Sequence, residues 1–474
     1  MLALLHRHRW FFLAFTVAGL ALRVFFAVQF PQVTPDSELY SDLAKNWLAH
    51  GIYGQTSPHG ILPTYVRLPG YPAFLVGVFA IFGSDNYRAV FALQILFDLG
   101  TCFLLAAAAR RFLKTDCRKT DRAAQAAFAL AALCPFLANY TAAALTETLE
   151  IFATALAFYL ALAGLDSVGT LSAWTGFRSR KGYEVWIGCG AAIGAAILLR
   201  PDGGLLAAAI GGYLGFLFLR HRRRQEFLAL SVLTLTVAAC LLPWTIRNFH
   251  TFGRFQPLAP RYANMPEDPV SYGFNRWTKT WIADYVSTQE LYWSIPNQPL
   301  DFSKLPERAF DNQQQFLTTQ QLFDTYNNEH DLSPELDARF GALAEERIQY
   351  SPLRYYVRLP LLRMADMWLR PRTALLPPDP RWWEFNDDPL PSTVAVGFGL
   401  LNLAYLLAAA LGFARRVTLH AGMLLLFLFL RTMFLGSMEN PEERYTLECY
   451  PAIILAAAAC FRSRDNNTDP AKIM

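Results

Sequence analysis

The stretch WFFLAFTVAGLALRVFFAVQF, residues 10–30, decides the class of this protein. It is almost entirely apolar, and about 20 such residues are enough to cross a bilayer as a helix. Basic residues at 6–9 precede it, as they would in a signal peptide. The run is too long for the apolar region of a signal peptide, and it lacks a small-residue cleavage site. We therefore expect an uncleaved first membrane span.

The composition extends this expectation to the whole chain. Of its 474 residues, 54% are hydrophobic and only 17% are charged, whereas soluble domains carry about 25% charged residues. The mean hydropathy is +0.22. These values exclude a cytosolic enzyme, a disordered chain and a disulfide scaffold. The net charge of +4 gives no support for nucleic-acid binding.

Apolar runs of spanning length predict about ten transmembrane helices. They lie at 10–30, 88–109, 122–141, 148–165, 185–200, 203–219, 226–246, 393–413, 418–436 and 446–461. Basic clusters alternate with them, at 110–122, 178–181, 220–224, 415–416 and 462–464. The positive-inside rule assigns these clusters and both termini to the cytoplasm. The fold class is thus an all-α polytopic membrane protein.

Two segments fit this topology less simply. The apolar run 69–83 is short, so we interpret it as a re-entrant or interfacial helix on the outer side. Segment 353–370 carries Arg354, Arg358 and Arg363 within an apolar pattern, which is typical of a helix lying at the membrane surface.

The topology divides the chain into three parts. Residues 1–250 form an N-terminal transmembrane catalytic core that includes the first outer loop, 31–87. Residues 251–392 form a mainly helical extracytoplasmic subdomain, with helices expected at 305–330 and 334–350. Residues 393–474 supply the last spans and a short cytoplasmic tail.

An acidic residue near the start of the first outer loop is the main catalytic candidate. Thr34 and Pro35 are typical of the cap and first position of a helix. At 100° per residue, Asp36 shares the apolar face with Tyr40, Leu43 and Trp47. A partly desolvated carboxylate there would suit a general base, although a first-turn acid also stabilises a helix through its dipole.

A second acid, Glu147, stands at the outer start of the span 148–165, on the same side as Asp36. With Asp36 it could hold an acceptor hydroxyl or a divalent cation such as Mg²⁺ or Mn²⁺, because such ions prefer oxygen ligands. Thr146 and Glu147 also fit an ordinary helix start.

Four arginines are predicted on the outer side, where positive charge is unusual. They are Arg67, Arg200, Arg247 and Arg444. Guanidinium groups bind phosphate with bidentate geometry, so the set indicates a phosphate-bearing lipid. Snorkelling or pairing with nearby acids, such as Arg200 with Asp202, would account for any single one.

Several motifs, in this order, resemble those of the GT-C membrane glycosyltransferases. They are Pro35-Asp36-Ser37-x-x-Tyr40, Arg67-x-Pro69-Gly70-Tyr71-Pro72, Thr146-Glu147, Leu199-Arg200-Pro201, Pro243-Trp244-x-x-Arg247-Asn248 and Pro441-x-x-Arg444-Tyr445. The closest resemblance is to the dolichyl-phosphate-mannose–protein mannosyltransferase and aminoarabinose transferase group. Leu68 departs from the pattern, since many relatives have proline there. Residues 255–440 carry no part of the resemblance.

The resemblance implies transfer of a sugar from a polyprenyl-phosphate carrier to a lipid, glycan or protein acceptor outside the cytoplasm. The protein would be a multi-pass protein of the cell (inner) membrane. The implied catalytic residues are Asp36 and Glu147, which are also the candidate ligands of any metal. The implied donor-phosphate residues are Arg67, Arg247, Arg444 and Tyr445. Residues implied to support the site or the acceptor are Tyr40, Tyr71, Arg200 and Asn248.

Two other functions fit the same topology. A lipid-carrier flippase or transporter would need ionisable residues at mid-membrane and paired broken helices. Asp98, inside the predicted span 88–109, is a lone acid at mid-membrane. A ligase or polymerase that joins lipid-linked glycans would share the outer loop and the topology.

Overall fold

The computed structural model describes residues 1–113, 117–169, 180–265, 270–296, 298–385, 389–415 and 418–461. The chain is built almost entirely of helices. They are α1 (Leu2–Arg7), α2 (Arg9–Gln29), α3 (Pro35–His50), α4 (Gly70–Phe82), α5 (Tyr87–Phe112), α6 (Cys117–Ala132), α7 (Pro135–Tyr140), α8 (Glu147–Gly169), α9 (Arg180–Leu199), α10 (Gly204–His221), α11 (Arg224–Phe252), α12 (Tyr272–Lys279), α13 (Tyr285–Glu290), α14 (Gln313–Glu329), α15 (Pro334–Tyr350), α16 (Leu359–Leu369), α17 (Pro389–Ala414), α18 (Ala421–Gly436) and α19 (Tyr450–Ala458).

Short irregular helices connect them. A π-helical turn covers Arg354–Arg358, and 3₁₀ turns cover Pro201–Gly203, Tyr292–Ser294, Phe302–Lys304, Glu307–Ala309, Glu443–Cys449 and Ala459–Phe461. Loop 31–87 contains a two-stranded antiparallel hairpin, β1 (Gly54–Ser57) and β2 (Gly60–Pro63), in which Gly54 lies opposite Pro63.

Seven helices of the described chain are long and apolar enough to cross a membrane, namely α2, α5, α8, α9, α10, α11 and α17. This confirms the all-α membrane fold. The other three predicted spans differ from expectation. Segment 122–141 is divided between α6 and α7, the predicted span 418–436 contains only the shorter α18, and segment 446–461 consists of a 3₁₀ turn followed by α19.

Proline explains the division of segment 122–141. Pro135 has no N–H group to continue the helix from α6, but it suits the first position of α7. The short segment 69–83 forms α4, whose 13 residues span about 20 Å at 1.5 Å per residue. Helix α4 is thus too short to cross the bilayer core alone. Its placement at the outer surface stays a prediction.

The chain folds as two compact units. Unit 1 comprises Met1–Met265, Ala404–Leu428 and Leu447–Met474, and unit 2 comprises Pro266–Leu403 and Phe429–Thr446. The predicted boundaries at 250 and 392, and the assignment of each part to a side of the membrane, stay predictions.

An ion pair between two spanning helices lies inside unit 1. Arg23 of α2 donates from Nε to Asp98 of α5 at 2.6 Å, and both side chains are almost fully buried. The same guanidinium donates to the carbonyls of Gly19, Ala131 and Ala132 at 2.8, 3.3 and 2.7 Å. The last carbonyls of a helix lack helical partners, so Arg23 also caps the end of α6 where Pro135 stops it.

The core of unit 2 is aromatic. Trp277 and Trp281 of the α12 region are fully buried and pack in an edge-to-face arrangement, with ring centroids 5.3 Å apart. The ring of Phe340 of α15 lies 5.2 Å from that of Trp277. Helix α15 covers the predicted segment 334–350, whereas α14 begins at Gln313 and not at 305, because Asn312 provides the N-terminal cap.

Segment 353–370 also belongs to unit 2. It forms the π-helical turn and α16, with Leu353, Tyr356 and Leu361 all more than half exposed. Arg363 points inward and donates to the carbonyl of Ile282 at 2.8 Å. An apolar exposed face fits the expected surface helix, which stays a prediction.

We predict that Asp98→Asn destabilises the protein strongly, because it leaves the Arg23 charge buried without its counter-ion. Loss of one partner of a buried pair costs about 3–5 kcal/mol. The double variant Arg23→Met/Asp98→Leu should recover much of the loss. Thermal unfolding of the detergent-purified protein measures both effects.

The matched control is Lys45→Met, which removes the 3.0 Å ion pair of Lys45 with Asp85, where both side chains are well exposed. Exposed pairs contribute about 0–1 kcal/mol. If Asp98→Asn cost no more than this control, the buried pair would not be a major stabilising contact.

Candidate functional site

The start of α3 holds the first candidate residue. Thr34 caps the helix by accepting from the backbone N–H of Ser37, whose hydroxyl accepts in turn from the N–H of Thr34, and Pro35 takes the first helical position. Asp36 therefore lies in the first turn, as predicted. Its carboxylate pairs with Arg67, Nη2 to Oδ1, at 2.9 Å. The side chains of Arg67 and Asp36 retain 25% and 36% exposure, so both are accessible to a ligand.

The loop that carries Arg67 is held in place from two directions. The hydroxyl of Tyr53 donates to the carbonyls of Arg67 and Leu68 at 3.0 and 3.1 Å. Gly70 approaches the end of α9 so closely that a Cβ atom would lie 2.5 Å from the carbonyl oxygen of Leu198. Only glycine permits this approach, which brings the Arg67 loop next to the turn that begins at Arg200.

Two tyrosines pack beneath this loop. Tyr40 and Tyr71 are buried and meet edge to face, with ring centroids 5.2 Å apart. The Tyr71 hydroxyl donates to Gln94 at 2.8 Å, and Gln94 donates to the carbonyls of Thr141 and Ala143. This chain of hydrogen bonds joins α4, α5 and the segment that precedes Glu147.

Tyr40 stands among the charged groups of the candidate site. Burial raises its pKa to about 12, and the charges that act on it are those of Arg67, Asp36, Arg200 and Glu147. The structure therefore brings the two predicted catalytic acids and two of the predicted arginines into one electrostatic environment. Tyr40 is a neutral hydroxyl group there at physiological pH.

Arg200 is the centre of a buried cluster of acids. Its guanidinium lies 3.4 Å from Glu147, 3.6 Å from Glu150, 3.4 Å from Asp202 and 3.9 Å from Glu448. Burial alone would lower the pKa of Arg200, but Asp202, Glu150, Glu448 and Glu147 outweigh burial and raise it. Arg200 therefore stays charged and orients the Glu147 carboxylate.

Sequence reasoning misses Glu150 and Glu448 as site residues. Both are almost fully buried, and both stand within apolar sequence at the ends of predicted spans. An acid in such a position is a functional candidate by default, and that signal could have identified them. The pairing of Arg200 with Asp202, one predicted explanation for that arginine, is present in the structure.

Arg247 binds the first outer loop. It donates to the carbonyl of Thr64 at 2.7 Å, to that of Tyr53 at 2.6 Å and to the side chain of Asn248 at 2.9 Å. Its guanidinium also lies 5.1 Å from the ring centroid of Trp244. These contacts give Arg247 a structural role, and its predicted contact with phosphate stays a prediction. Asn248 supports the next loop by donating to the carbonyl of Gln256 at 2.7 Å.

The remaining predicted residues, Arg444 and Tyr445, belong to unit 2. Arg444 pairs with Glu442, Nε to Oε2, at 2.6 Å, and the Tyr445 hydroxyl donates to the other oxygen of the same carboxylate. Glu443 is buried beside Arg370 at 3.3 Å and accepts from the backbone N–H of Ala374 at 2.9 Å. Burial raises the pKa of Glu443 to about 7, although Arg370 and Arg372 oppose the shift.

The described residues contain no group of three or more His, Cys, Asp or Glu side chains arranged to hold a metal ion. Asp36 and Glu147 each face an arginine, so a cation at either acid would compete with a guanidinium. Whether the two acids hold a divalent cation such as Mg²⁺ or Mn²⁺ stays untested.

Comparison with known proteins supports the resemblance found in the sequence. Residues 66–246 match the family described as dolichyl-phosphate-mannose-protein mannosyltransferase. This is less than half of the chain. The matched part contains Arg67, Glu147 and Arg200, and it ends one residue before Arg247. A search of curated protein sequences gave no match.

Solved structures give the fold. The chain is similar to the oligosaccharyltransferase AglB of Archaeoglobus fulgidus in complex with an inhibitory peptide and a dolichol-phosphate, with a TM-score of 0.50 at 14% identity over 96% of this chain and 50% of that one. The Archaeoglobus fulgidus oligosaccharyltransferase tethered to an acceptor peptide gives a TM-score of 0.53 at 12% identity over 96% and 49%. The chain thus spans about half the length of these proteins.

A weaker similarity, with a TM-score of 0.40 at 15% identity, relates the chain to ArnT of Cupriavidus metallidurans bound to undecaprenyl phosphate, over 95% of this chain and 77% of that one. Together the family match and the fold confirm the resemblance to the GT-C glycosyltransferases. The chain is a multi-pass membrane protein with a fold of that type.

We predict that the protonation of Glu443 makes stability depend on pH. The native state holds this proton up to about pH 7, whereas the unfolded chain releases it near the ordinary value of 4.5. The native state therefore binds the additional proton between these values, and stability falls as the pH rises through that window, by roughly 3 kcal/mol.

Thermal unfolding at several pH values between 4 and 8 measures the effect, and Glu443→Gln should flatten this part of the profile. Glu335→Gln, at an exposed position of α15 in the same unit, is the control. Equal slopes for wild type and Glu443→Gln would contradict the prediction.

Proposed function

We propose that the chain is an integral-membrane glycosyltransferase that moves a sugar from a polyprenyl-phosphate carrier to an acceptor on the extracytoplasmic side. The observation that carries the proposal is the accessible ion pair of Asp36 with Arg67, next to Tyr40 and the Arg200–Glu147 pair. An acid and a guanidinium at 2.9 Å supply a proton acceptor and a phosphate ligand side by side.

The reaction is a single displacement. The Asp36 carboxylate takes the proton of an acceptor hydroxyl while the hydroxyl oxygen bonds to the anomeric carbon of the sugar. The bond between that carbon and the phosphate oxygen breaks, and the polyprenyl phosphate leaves with the electron pair. Attack from the face opposite the leaving group inverts the anomeric centre.

The neighbouring groups have supporting roles in this mechanism. Arg67 stabilises the carboxylate of Asp36 before the donor binds. It then stabilises the charge that develops on the phosphate as its bond to the sugar breaks. Arg200 holds Glu147 in one orientation, so that Glu147 can accept a hydrogen bond from the acceptor. Arg247 keeps the loop that carries Arg67 in position through its contact with the carbonyl of Thr64.

The similarities support the choice of donor. One matched structure holds dolichol-phosphate, and the matched family is named for dolichyl-phosphate-mannose. The transporter alternative is weakened, because the acid on which it depends, Asp98, is neutralised by Arg23 inside unit 1. The ligase alternative differs in donor, since it would consume a longer lipid-linked glycan.

We predict that Asp36→Asn lowers sugar transfer by about 10²- to 10⁴-fold, which is the usual contribution of a general base. The assay follows sugar release from undecaprenyl-phosphate-linked mannose, glucose and aminoarabinose by the purified protein. Glu38→Gln is the matched control, because Glu38 is an acid in the same helical turn that does not pair with Arg67.

Full activity of Asp36→Asn would refute the base assignment. If wild type consumed none of these donors but did consume a diphosphate-linked oligosaccharide, the ligase function would replace the proposed one.

We further predict that the product has the anomeric configuration opposite to that of the donor, because one displacement inverts the carbon once. Proton NMR coupling constants of the isolated product distinguish the two anomers. A product that keeps the configuration of the donor would exclude a single displacement.

A further inference from the structure

Unit 2 contains a cavity that the proposed transfer reaction does not use. Its volume is about 300 Å³, and segment 373–382, a series of turns and bends, forms much of its wall. Tyr285, Arg370 and Glu443 contribute to the rest of the lining. The volume is at the lower end of the range of ligand pockets, about 300–1,000 Å³, and therefore suits a small ligand of one or two rings.

One side of the cavity is a rigid charged frame. Arg370 pairs with Glu443 at 3.3 Å and with Asp366 at 3.4 Å, and its side chain is only 4% exposed. Glu443 is held further by the backbone N–H of Ala374, and the Arg370 guanidinium lies 5.3 Å from the ring centroid of Tyr285. This frame positions the Tyr285 ring without help from a ligand.

Two hydroxyl groups at the cavity have no partner within the described chain. Tyr285 and Thr373 both line it, and they are only 8% and 7% exposed. The backbone N–H of Tyr285 donates to Asp366 at 2.9 Å, but neither side-chain hydroxyl makes a hydrogen bond to any described residue. Neither hydroxyl oxygen is among the fully buried unpartnered atoms of the described chain, so both remain accessible from the cavity and can bond a ligand.

The charge of the lining selects the ligand class. The Arg370 charge is offset by Asp366 even where Glu443 holds its proton, and Asp379 adds a further negative charge. Such a lining repels phosphate and carboxylate groups. Trp382 offers a half-buried aromatic surface, against which the C–H face of a ring can pack.

We propose that this cavity binds a neutral sugar ring, with the hydroxyls of Tyr285 and Thr373 bonded to sugar hydroxyls and Trp382 packed against the ring. A sugar combines many hydroxyl groups with an apolar C–H face and carries no negative charge, as this lining requires. The inference goes beyond the proposed transfer reaction, because it assigns a second binding site in unit 2 that needs no transfer to be detected.

The test measures binding to the full chain in detergent. The probes are methyl α-mannoside, methyl β-glucoside and methyl β-galactoside, with inorganic phosphate as the anionic probe. Saturation-transfer NMR and tryptophan fluorescence report binding. We expect saturable binding of at least one methyl glycoside, and phosphate should not displace it.

Two variants locate that binding. Tyr285→Phe and Thr373→Val remove the hydroxyls with little change of shape, and each should weaken binding about 5- to 10-fold, as expected for one neutral hydrogen bond. Tyr350→Phe, at an exposed position of unit 2, is the control and should bind as wild type does. Equal thermal unfolding temperatures verify that the variants fold.

The proposal is overturned if no methyl glycoside binds saturably, if phosphate displaces the bound methyl glycoside, or if both hydroxyl variants bind as well as wild type. Asp36→Asn separates this inference from the transfer reaction, since it should bind the methyl glycosides normally. Binding by a protein that transfers no sugar would retain the cavity assignment and remove the proposed function. Sugar transfer by a protein that binds no methyl glycoside would retain the proposed function and remove the cavity assignment.

Discussion

Unit 1 depends on the ion pair of Arg23 with Asp98. A charge inside an apolar helix bundle must be neutralised and fully hydrogen-bonded, and this pair meets both requirements. Asp98 is one partner, at 2.6 Å, and the carbonyls of Gly19 and of the end of α6 are further ones. The guanidinium thus joins α2, α5 and α6 at one point. It also donates hydrogen bonds to carbonyls at the end of α6, which lack helical partners because the helix stops before Pro135.

The same constraint shapes the candidate site. Arg200 is partly buried with four carboxylates within 4 Å, and its charge holds together the start of α8, the turn that follows α9 and the segment that carries Glu448. Asp36 and Arg67 differ from this arrangement, because their pair is partly exposed and so is open to exchange with a ligand. A buried pair maintains the scaffold, whereas an accessible pair can take part in chemistry.

Sequence reasoning predicts those parts of the protein that depend on local signals. Helix α3 begins at Pro35 after its Thr34 cap, α15 covers the predicted 334–350, and the resemblance to GT-C enzymes is confirmed. The prediction of one span over 122–141 is wrong, because hydropathy alone does not register the break at Pro135. The roles of the individual site residues stay predictions.

The sequence by itself determined that the chain is a helical membrane protein, because hydropathy, basic clusters and helix caps are each visible within one continuous stretch of residues. Only the tertiary structure decided which charges meet. Arg67 lies 31 residues from Asp36, Arg200 lies 53 from Glu147, and Glu448 reaches Arg200 from near the other end of the chain. Such pairs form because burial in a medium of low dielectric constant makes any unpaired charge costly, whatever its distance along the sequence.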